Sequence, residues 1–359
     1  MEGEGKQFLP VWSTLLASLC YCYFIASKIP KGKLRFFLFF PSFYLFTIFP
    51  LYFSSVILKG VTSYFITYLG NFKLLLFSYD TGPLSNNQSI HSHKSKFGKQ
   101  NTDNEHVKST SLLRFIVVTI FPMKIKDKLA QKQKSIKILP LNLLHEALSF
   151  TILSTICYFY KEQLHLGLLW LAYSGLIYLF LDVVVGICNK LAKAIIDVEL
   201  YPPFDEPYLS TSLQDFWSRR WNLMVTDVLR HTIYEPTRAI LSKYLSKQSA
   251  LISSVMAVFL VSGLIHELIF YYLTFVEPTW EVTLFFGLNG LCVILEGFLK
   301  HGLGHKLRLH WAISGPITLG LVMGTGYLWF FRPFLRNQLD ERIAEEILAI
   351  LVFVRQQFI

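Results

Sequence analysis

The sequence predicts an all-α fold: a polytopic transmembrane bundle of about eight to ten helices enclosing an intramembrane reaction chamber. Charged residues make up only 16% of the 359 residues, and hydrophobic ones 53%, whereas a soluble domain carries about 25% charged residues. Apolar runs recur at close to the length of roughly 20 residues that a helix needs to cross hydrocarbon. Inside one such run, Ala257 to Phe270, lies the pair His266-Glu267. A charged side chain at mid-membrane costs about 2.5–3.5 kcal/mol on insertion scales, so ionisable groups there mark a cavity within the protein.

Candidate spans cover residues 8–26, 36–58, 61–79, 141–160, 165–186, 251–274, 282–299 and 311–331. The first is long, has no basic start beyond Lys6 and is followed by further spans, so it reads as a retained helix rather than a signal peptide. Residues 111–123 are shorter and suit a re-entrant or interfacial segment. Residues 341–358 form an amphipathic or final spanning helix, with Asp340, Glu341, Glu345 and Glu346 at its N-terminal end and Arg355 near the other. The chain reads as one domain over 1–359. Residues 82–111, rich in Ser, Asn, His and Lys, form a mobile cytosolic loop, and residues 187–250 form a cytosolic or interfacial segment.

The net charge of +10 follows the membrane rule that basic loops stay on the cytosolic side, and gives no support to a nucleic-acid partner. Lys28, Lys31, Lys33 and Arg35 follow the first span, many lysines fill the loop after the third, and Lys300, Lys306 and Arg308 follow the seventh. Only Lys59 separates the second and third spans, and no Lys or Arg separates the sixth and seventh. This alternation places the N-terminus on the luminal side and the large loops in the cytosol; Arg332 and Arg336 fit it less well. The five cysteines have no metal-like spacing and are odd in number, so neither a disulfide framework nor a zinc site is expected. His266-Glu267 is followed by Leu268, Ile269 and Phe270 and is not an HExxH site.

A second polar landmark runs from Thr211 to Pro236. Ser212 with Asp215 resembles a capping box that starts a helix, and Pro236 ends or kinks it. Phe216, Trp217, Trp221 and Met224 interleave with Asp215, Arg219, Arg220 and Asn222. Two readings fit: an amphipathic helix in the membrane interface, or arginines that meet an anionic ligand from the cytosol while Asn222 reaches inward.

Three stretches together resemble a known family. They are Ser212-Leu213-Gln214-Asp215-Phe216-Trp217-Ser218-Arg219-Arg220-Trp221-Asn222, then Ser262-Gly263-Leu264-Ile265-His266-Glu267, and residues 71–85. The sequence is similar, over nearly its whole length, to the plant wax synthase branch of the membrane-bound O-acyltransferase superfamily. Ser218 stands where relatives often have Gly. The resemblance implies acyl transfer from acyl-CoA to a lipid hydroxyl, multi-pass in the endoplasmic reticulum membrane, with no cofactor beyond acyl-CoA as co-substrate. The partners are then acyl-CoA, a lipid alcohol and membrane lipids. His266 takes the role of the family's catalytic histidine and Asn222 that of the asparagine that assists it. The implied product is a wax ester; a sterol or diacylglycerol acceptor, or an acetyl donor, belongs to the same chemistry.

Such a transfer needs a base for the hydroxyl proton, a donor for the oxyanion and exclusion of water. His266 is the base expected, and Asn222 the contact to the carbonyl or oxyanion. Ser262, four residues earlier, shares a helix face with His266 and bonds either the imidazole or its own backbone. Glu267 points about 100° away from His266 and suits a tunnel or interhelical role. Trp217, Arg219, Arg220 and Trp221 are expected at the substrate, as are Ser262, Glu267, Asn289 and Glu296; the last two share a face and either line the cavity or join helices. Glu146 and Asp182 read as structural, and no metal site is expected from His91 with His93 or from His301 with His305. Counted from Leu251, His266 lies about 22 Å along its helix. Coenzyme A would then remain at the basic cytosolic surface while its pantetheine arm threads inward, and the alcohol would arrive laterally. A proton-coupled transporter using His266 and Glu267, and a non-catalytic scaffold, are the competing classes; the chain shows no internal repeat of the transporter kind.

Overall fold

The computed structural model describes residues 2–85, 111–126, 143–303 and 310–358. The loop expected at 82–111 and the position of His305 fall largely outside these residues. Among the described residues all regular structure is helical, apart from one isolated antiparallel bridge between Ile125 and Leu200.

Among the described residues, six helical stretches are long and apolar enough to cross a membrane: Leu9–Ala26, Leu143–Tyr160, Leu166–Ile196, Lys247–Thr274, Glu281–Gly302 and Trp311–Arg336. They correspond to helices α1 (Glu2–Lys28), α7 (Leu143–Tyr160), α8 (Leu166–Ile196), α12 (Lys247–Thr274), α13 (Glu281–Leu303) and α14 (Trp311–Thr325) with its continuation α15 (Phe331–Arg336). Large apolar side chains such as Leu144, Ile152, Leu171, Leu299 and Ile317 stand exposed on them, which is what a lipid-facing surface requires.

The span expected over 36–58 does not exist as one helix. It is divided into α2 (Lys33–Leu38), α3 (Phe40–Ile48) and a 3-10 turn at Phe49–Tyr52. Pro50 lacks the N–H that would continue α3, and Ser55 caps a new helix by accepting the Leu58 N–H at 3.2 Å. That helix begins before the expected residue 61. It runs as α4 (Val56–Thr62), a π-helical stretch Ser63–Gly70, and α5 (Asn71–Ser78). Lys73 is buried on it and donates to the carbonyls of Val118 (2.8 Å) and Phe121 (2.6 Å). These bonds tie down α6 (Leu112–Ile120), whose nine residues reach only about 13 Å, too short to cross. Helix α8 extends to Ile196, so the first part of the expected 187–250 segment continues a spanning helix; Asp197 in the left-handed conformation ends it.

The last helix, α16 (Leu339–Phe358), is bound into the bundle. Glu346 accepts the N–H of Val56 (2.6 Å) and Ile57 (3.1 Å) and the hydroxyl of Ser55 (2.7 Å), a carboxylate satisfying the free donors at the start of α4. Helices α12 and α13 pack closely. A Cβ at Gly263 would lie 2.9 Å from the Cα of Thr283, and one turn on, Glu267 accepts the Thr283 N–H at 3.0 Å.

Between α4, α7, α8, α12, α13, α14 and α16 lies a mainly apolar cavity of about 1720 Å³. The π-helical stretches Ser63–Gly70, Phe216–Arg220, Arg230–Tyr234 and Gly326–Phe330 all contribute to its wall. Such wide turns are uncommon and concentrate at functional sites.

Candidate active site

His266 lies on α12, about 28 Å from the helix start at Lys247 and about 12 Å from its end at Thr274. It is surrounded by protein yet only half-buried, because its ring faces the cavity. Phe286 lies 4.6 Å away between ring centroids, Phe330 5.8 Å and Tyr68 6.3 Å. Nδ1 is 2.7 Å from the carbonyl oxygen of Ser262. A carbonyl can only accept, so Nδ1 carries the proton and Nε2 keeps the basic lone pair. Ser262 thus meets the imidazole through its main chain.

Asn222 reaches the same cavity from the opposite segment. Ser212 caps α9 (Leu213–Asp215) by accepting the Asp215 N–H at 3.1 Å, and the chain then opens into the π turn Phe216–Arg220. Asn222 takes the left-handed conformation, φ 46, which asparagine tolerates better than most residues. Its Oδ1 accepts the N–H of Val225 at 3.3 Å and so caps α10 (Leu223–Leu229). That N–H can only donate, which fixes the amide: Oδ1 faces the helix and the NH2 group faces the Tyr64 hydroxyl, 2.9 Å away. That contact uses one of the two N–H groups of the amide, and Asn222 lines the cavity. The loop itself is held by Thr226, whose hydroxyl donates to the carbonyls of Trp217 (3.2 Å) and Trp221 (3.3 Å).

Trp217, Trp221 and Ser262 line the cavity with His266 and Asn222. Trp221 stacks on Phe216, with centroids 5.3 Å apart; Trp217 packs against Phe259, Phe285 and Phe286. Other residues expected at the substrate stand elsewhere. Arg219 is exposed. Arg220 is held by Asp215 at 2.8 Å and by the carbonyls of Asp205 and Glu206, so it braces the loop. Glu267, Asn289 and Glu296 lie outside the cavity wall and join elements. Glu267 holds Thr283, and Asn289 accepts from Trp217 (3.3 Å) and donates to the Phe285 carbonyl (2.9 Å). Glu296 accepts the Gln214 N–H (3.0 Å) and pairs with Lys300 (3.0 Å). Glu146 and Asp182 are buried.

Sequence reasoning missed Tyr64 and Tyr68. They stand one turn apart on the π stretch, with ring centroids 6.1 Å apart, and connect Asn222 on one side to His266 on the other. Their spacing was the only available signal, in a segment whose apolar character alone had drawn notice. The basic residues Arg230, Arg238 and Lys247, which line one end of the cavity, were also unassigned. At the other end Lys161 pairs with Glu341 (2.6 Å) and Asp340 (3.2 Å), and the Glu341 carboxylate holds its ammonium above the usual lysine range.

The sequence profile of the membrane bound O-acyl transferase family matches residues 200–288, the stretch that contains both Asn222 and His266. The chain is 36% identical over 361 residues to a long-chain-alcohol O-fatty-acyltransferase of Simmondsia chinensis, covering 96% of this chain and 94% of that protein. It is 38% identical over 351 residues to acyl-CoA--sterol O-acyltransferase 1 of Arabidopsis thaliana, covering 96% and 95%. It is 36% identical over 365 residues to probable long-chain-alcohol O-fatty-acyltransferase 3 of the same plant, covering 100% and 98%. With likeness of this extent running through the whole helical bundle and its histidine-lined cavity, the chain belongs to the membrane-bound O-acyltransferase family.

Proposed function

We propose that the protein transfers the acyl group of an acyl-CoA to a long-chain alcohol, forming a wax ester, in the endoplasmic reticulum membrane. The observation that carries the mechanism is the Nδ1 bond of His266 to the Ser262 carbonyl, which leaves a basic nitrogen on a ring lining a large apolar cavity. Nε2 takes the hydroxyl proton of the alcohol as its oxygen attacks the thioester carbon. The free N–H of Asn222 meets the oxyanion that develops. As the C–S bond breaks, the imidazolium returns the proton to the departing thiolate of coenzyme A. The apolar wall keeps water from competing with the alcohol.

The two ends of the cavity suit two substrates of different polarity. Arg230, Arg238 and Lys247 lie where α12 begins, the end that the charge pattern places in the cytosol; they suit the phosphates of coenzyme A. The far end is marked by α4, where Lys59 lies 4.1 Å over the Phe275 ring just past the end of α12. A proton relay through His266 and Glu267 has little support, since Nδ1 and the Glu267 carboxylate are each tied to backbone groups.

The test is expression in yeast lacking its neutral-lipid acyltransferases, with labelled acyl-CoA and fatty alcohol, sterol or diacylglycerol offered separately. Wax ester that disappears with His266→Ala is the expected result. Preference for the sterol arm would change the acceptor, and ester formation that persists in His266→Ala would overturn the mechanism.

A further inference from the structure

We propose that Tyr64 is a positioning residue for acyl transfer: its hydroxyl holds the Asn222 amide with one N–H aimed into the cavity. The inference rests on the reading of Asn222 and His266 given above and adds a residue to it. The Tyr64 hydroxyl lies 2.9 Å from Nδ2 and 3.1 Å from Oδ1 of Asn222, so it sits across the end of the amide. Oδ1 is fixed on its other side by the Val225 N–H. The Val225 N–H sets which end of the amide is oxygen, and the Tyr64 hydroxyl, accepting one N–H at Nδ2, holds the plane of the amide; without it the amide would swing about its Cβ–Cγ bond and carry its other N–H away from the developing oxyanion.

Two further features favour a role beyond packing. Tyr64 lines the cavity beside Asn222, His266 and Trp217, where an apolar residue would fill the same space without a buried hydroxyl to satisfy. It also stands on the π stretch Ser63–Gly70 together with Tyr68, whose ring meets the edge of His266 at 6.3 Å. One irregular helical segment therefore borders both the proposed base and the proposed oxyanion contact. The start of that helix is anchored by Glu346, and its far part by Lys73, so the tyrosines have a fixed frame.

The test is Tyr64→Phe in purified enzyme, which removes one oxygen atom and keeps the ring. The expected result is a fall in kcat on the order of tenfold, with KM for acyl-CoA within about twofold and an unchanged thermal midpoint. In a cycle with Asn222→Ala, Tyr64→Phe should cost nothing further, because it acts through that amide. A kcat equal to wild type, or losses that multiply in the double variant, would overturn the proposal. Should Tyr64→Phe lose its fold, 3-fluorotyrosine at position 64 weakens the hydroxyl as an acceptor without removing it; a lowered kcat is then expected, and an unchanged one refutes the role. His266→Ala is run alongside: if that variant retains activity the underlying mechanism fails, whereas an inactive His266→Ala with fully active Tyr64→Phe removes Tyr64 alone.

Discussion

The side-chain oxygen of Asn222 accepts the backbone N–H of Val225, so this residue ends one helical turn and starts the next while its nitrogen meets the Tyr64 hydroxyl. Capping and the proposed oxyanion contact would thus use opposite ends of one amide. Asn222→Asp separates them. An aspartate keeps the cap but offers no N–H, so kcat should fall as far as in Asn222→Ala, by roughly 10²–10³-fold as for loss of an oxyanion donor. The thermal midpoint should fall only for Ala. Near-normal turnover by the Asp variant would show that the cap alone matters.

Ser262 is expected to be dispensable as a hydroxyl. The imidazole bonds its carbonyl oxygen, which every residue has. Ser262→Ala should therefore retain activity within about threefold, the scale of a minor uniform effect. Loss comparable to His266→Ala, or an acyl-enzyme trapped on Ser262, would instead point to a covalent route.

Gly263→Ala should damage both stability and activity. The added methyl would meet the Cα of Thr283 at 2.9 Å, and main chain cannot swing aside as a flexible side chain does. Overpacking of this kind costs about 1–3 kcal/mol. It also pushes α13 from α12 within one turn of His266. The measurements are thermal unfolding in detergent and kcat; a variant with wild-type values of both would contradict the close approach.

Arg238→Ala and Lys247→Ala should raise KM for acyl-CoA by roughly two- to fivefold each, the effect of one exposed charge, and leave kcat alone. The KM of the wild type should climb with salt more steeply than that of either variant. An effect on kcat with no change in KM would place coenzyme A elsewhere.

Lys161 gives a prediction in pH. Its folded-state pKa is raised, first by Glu341 and then by Asp340, so its contribution is complete below the unfolded lysine value near 10.4 and is lost as pH rises through the higher folded value. The stability difference between wild type and Lys161→Met should be flat from about pH 7 to 9 and shrink only above about 10.5. A difference that declines already at pH 8 would mean the pair is not formed.

The pair His266-Glu267 and most long helices were legible because each stands out locally: polar groups within an apolar run, and runs of the right length. Asn222 sits among charges and aromatics, and its expected role came from the family resemblance. Other features depended on contacts distant in the chain. The division of 36–58 turns on Pro50 and on a cap whose nearest companion, Glu346, is far away in sequence. Glu267, Asn289 and Glu296 looked like cavity groups because a buried polar side chain looks the same whether it faces a ligand or a neighbouring helix. Only the partners Thr283, Trp217 and Gln214 distinguish the two. Tyr64 carried no mark of its own, since a tyrosine in an aromatic-rich span is unremarkable until its hydroxyl is seen against Asn222.

The wide turn from Ser63 to Gly70 constrains how this protein can vary. Deleting one residue there would let the backbone relax to an ordinary α-helix, a locally cheaper path. Because the wide turn holds a residue more than the α-helical turn it replaces, such a deletion would leave Lys73 near its present face toward Val118 and Phe121 but would change the spacing of Tyr64 and Tyr68 within the stretch. A one-residue gap in this stretch would therefore cost the placement of the two tyrosines before it cost the fold.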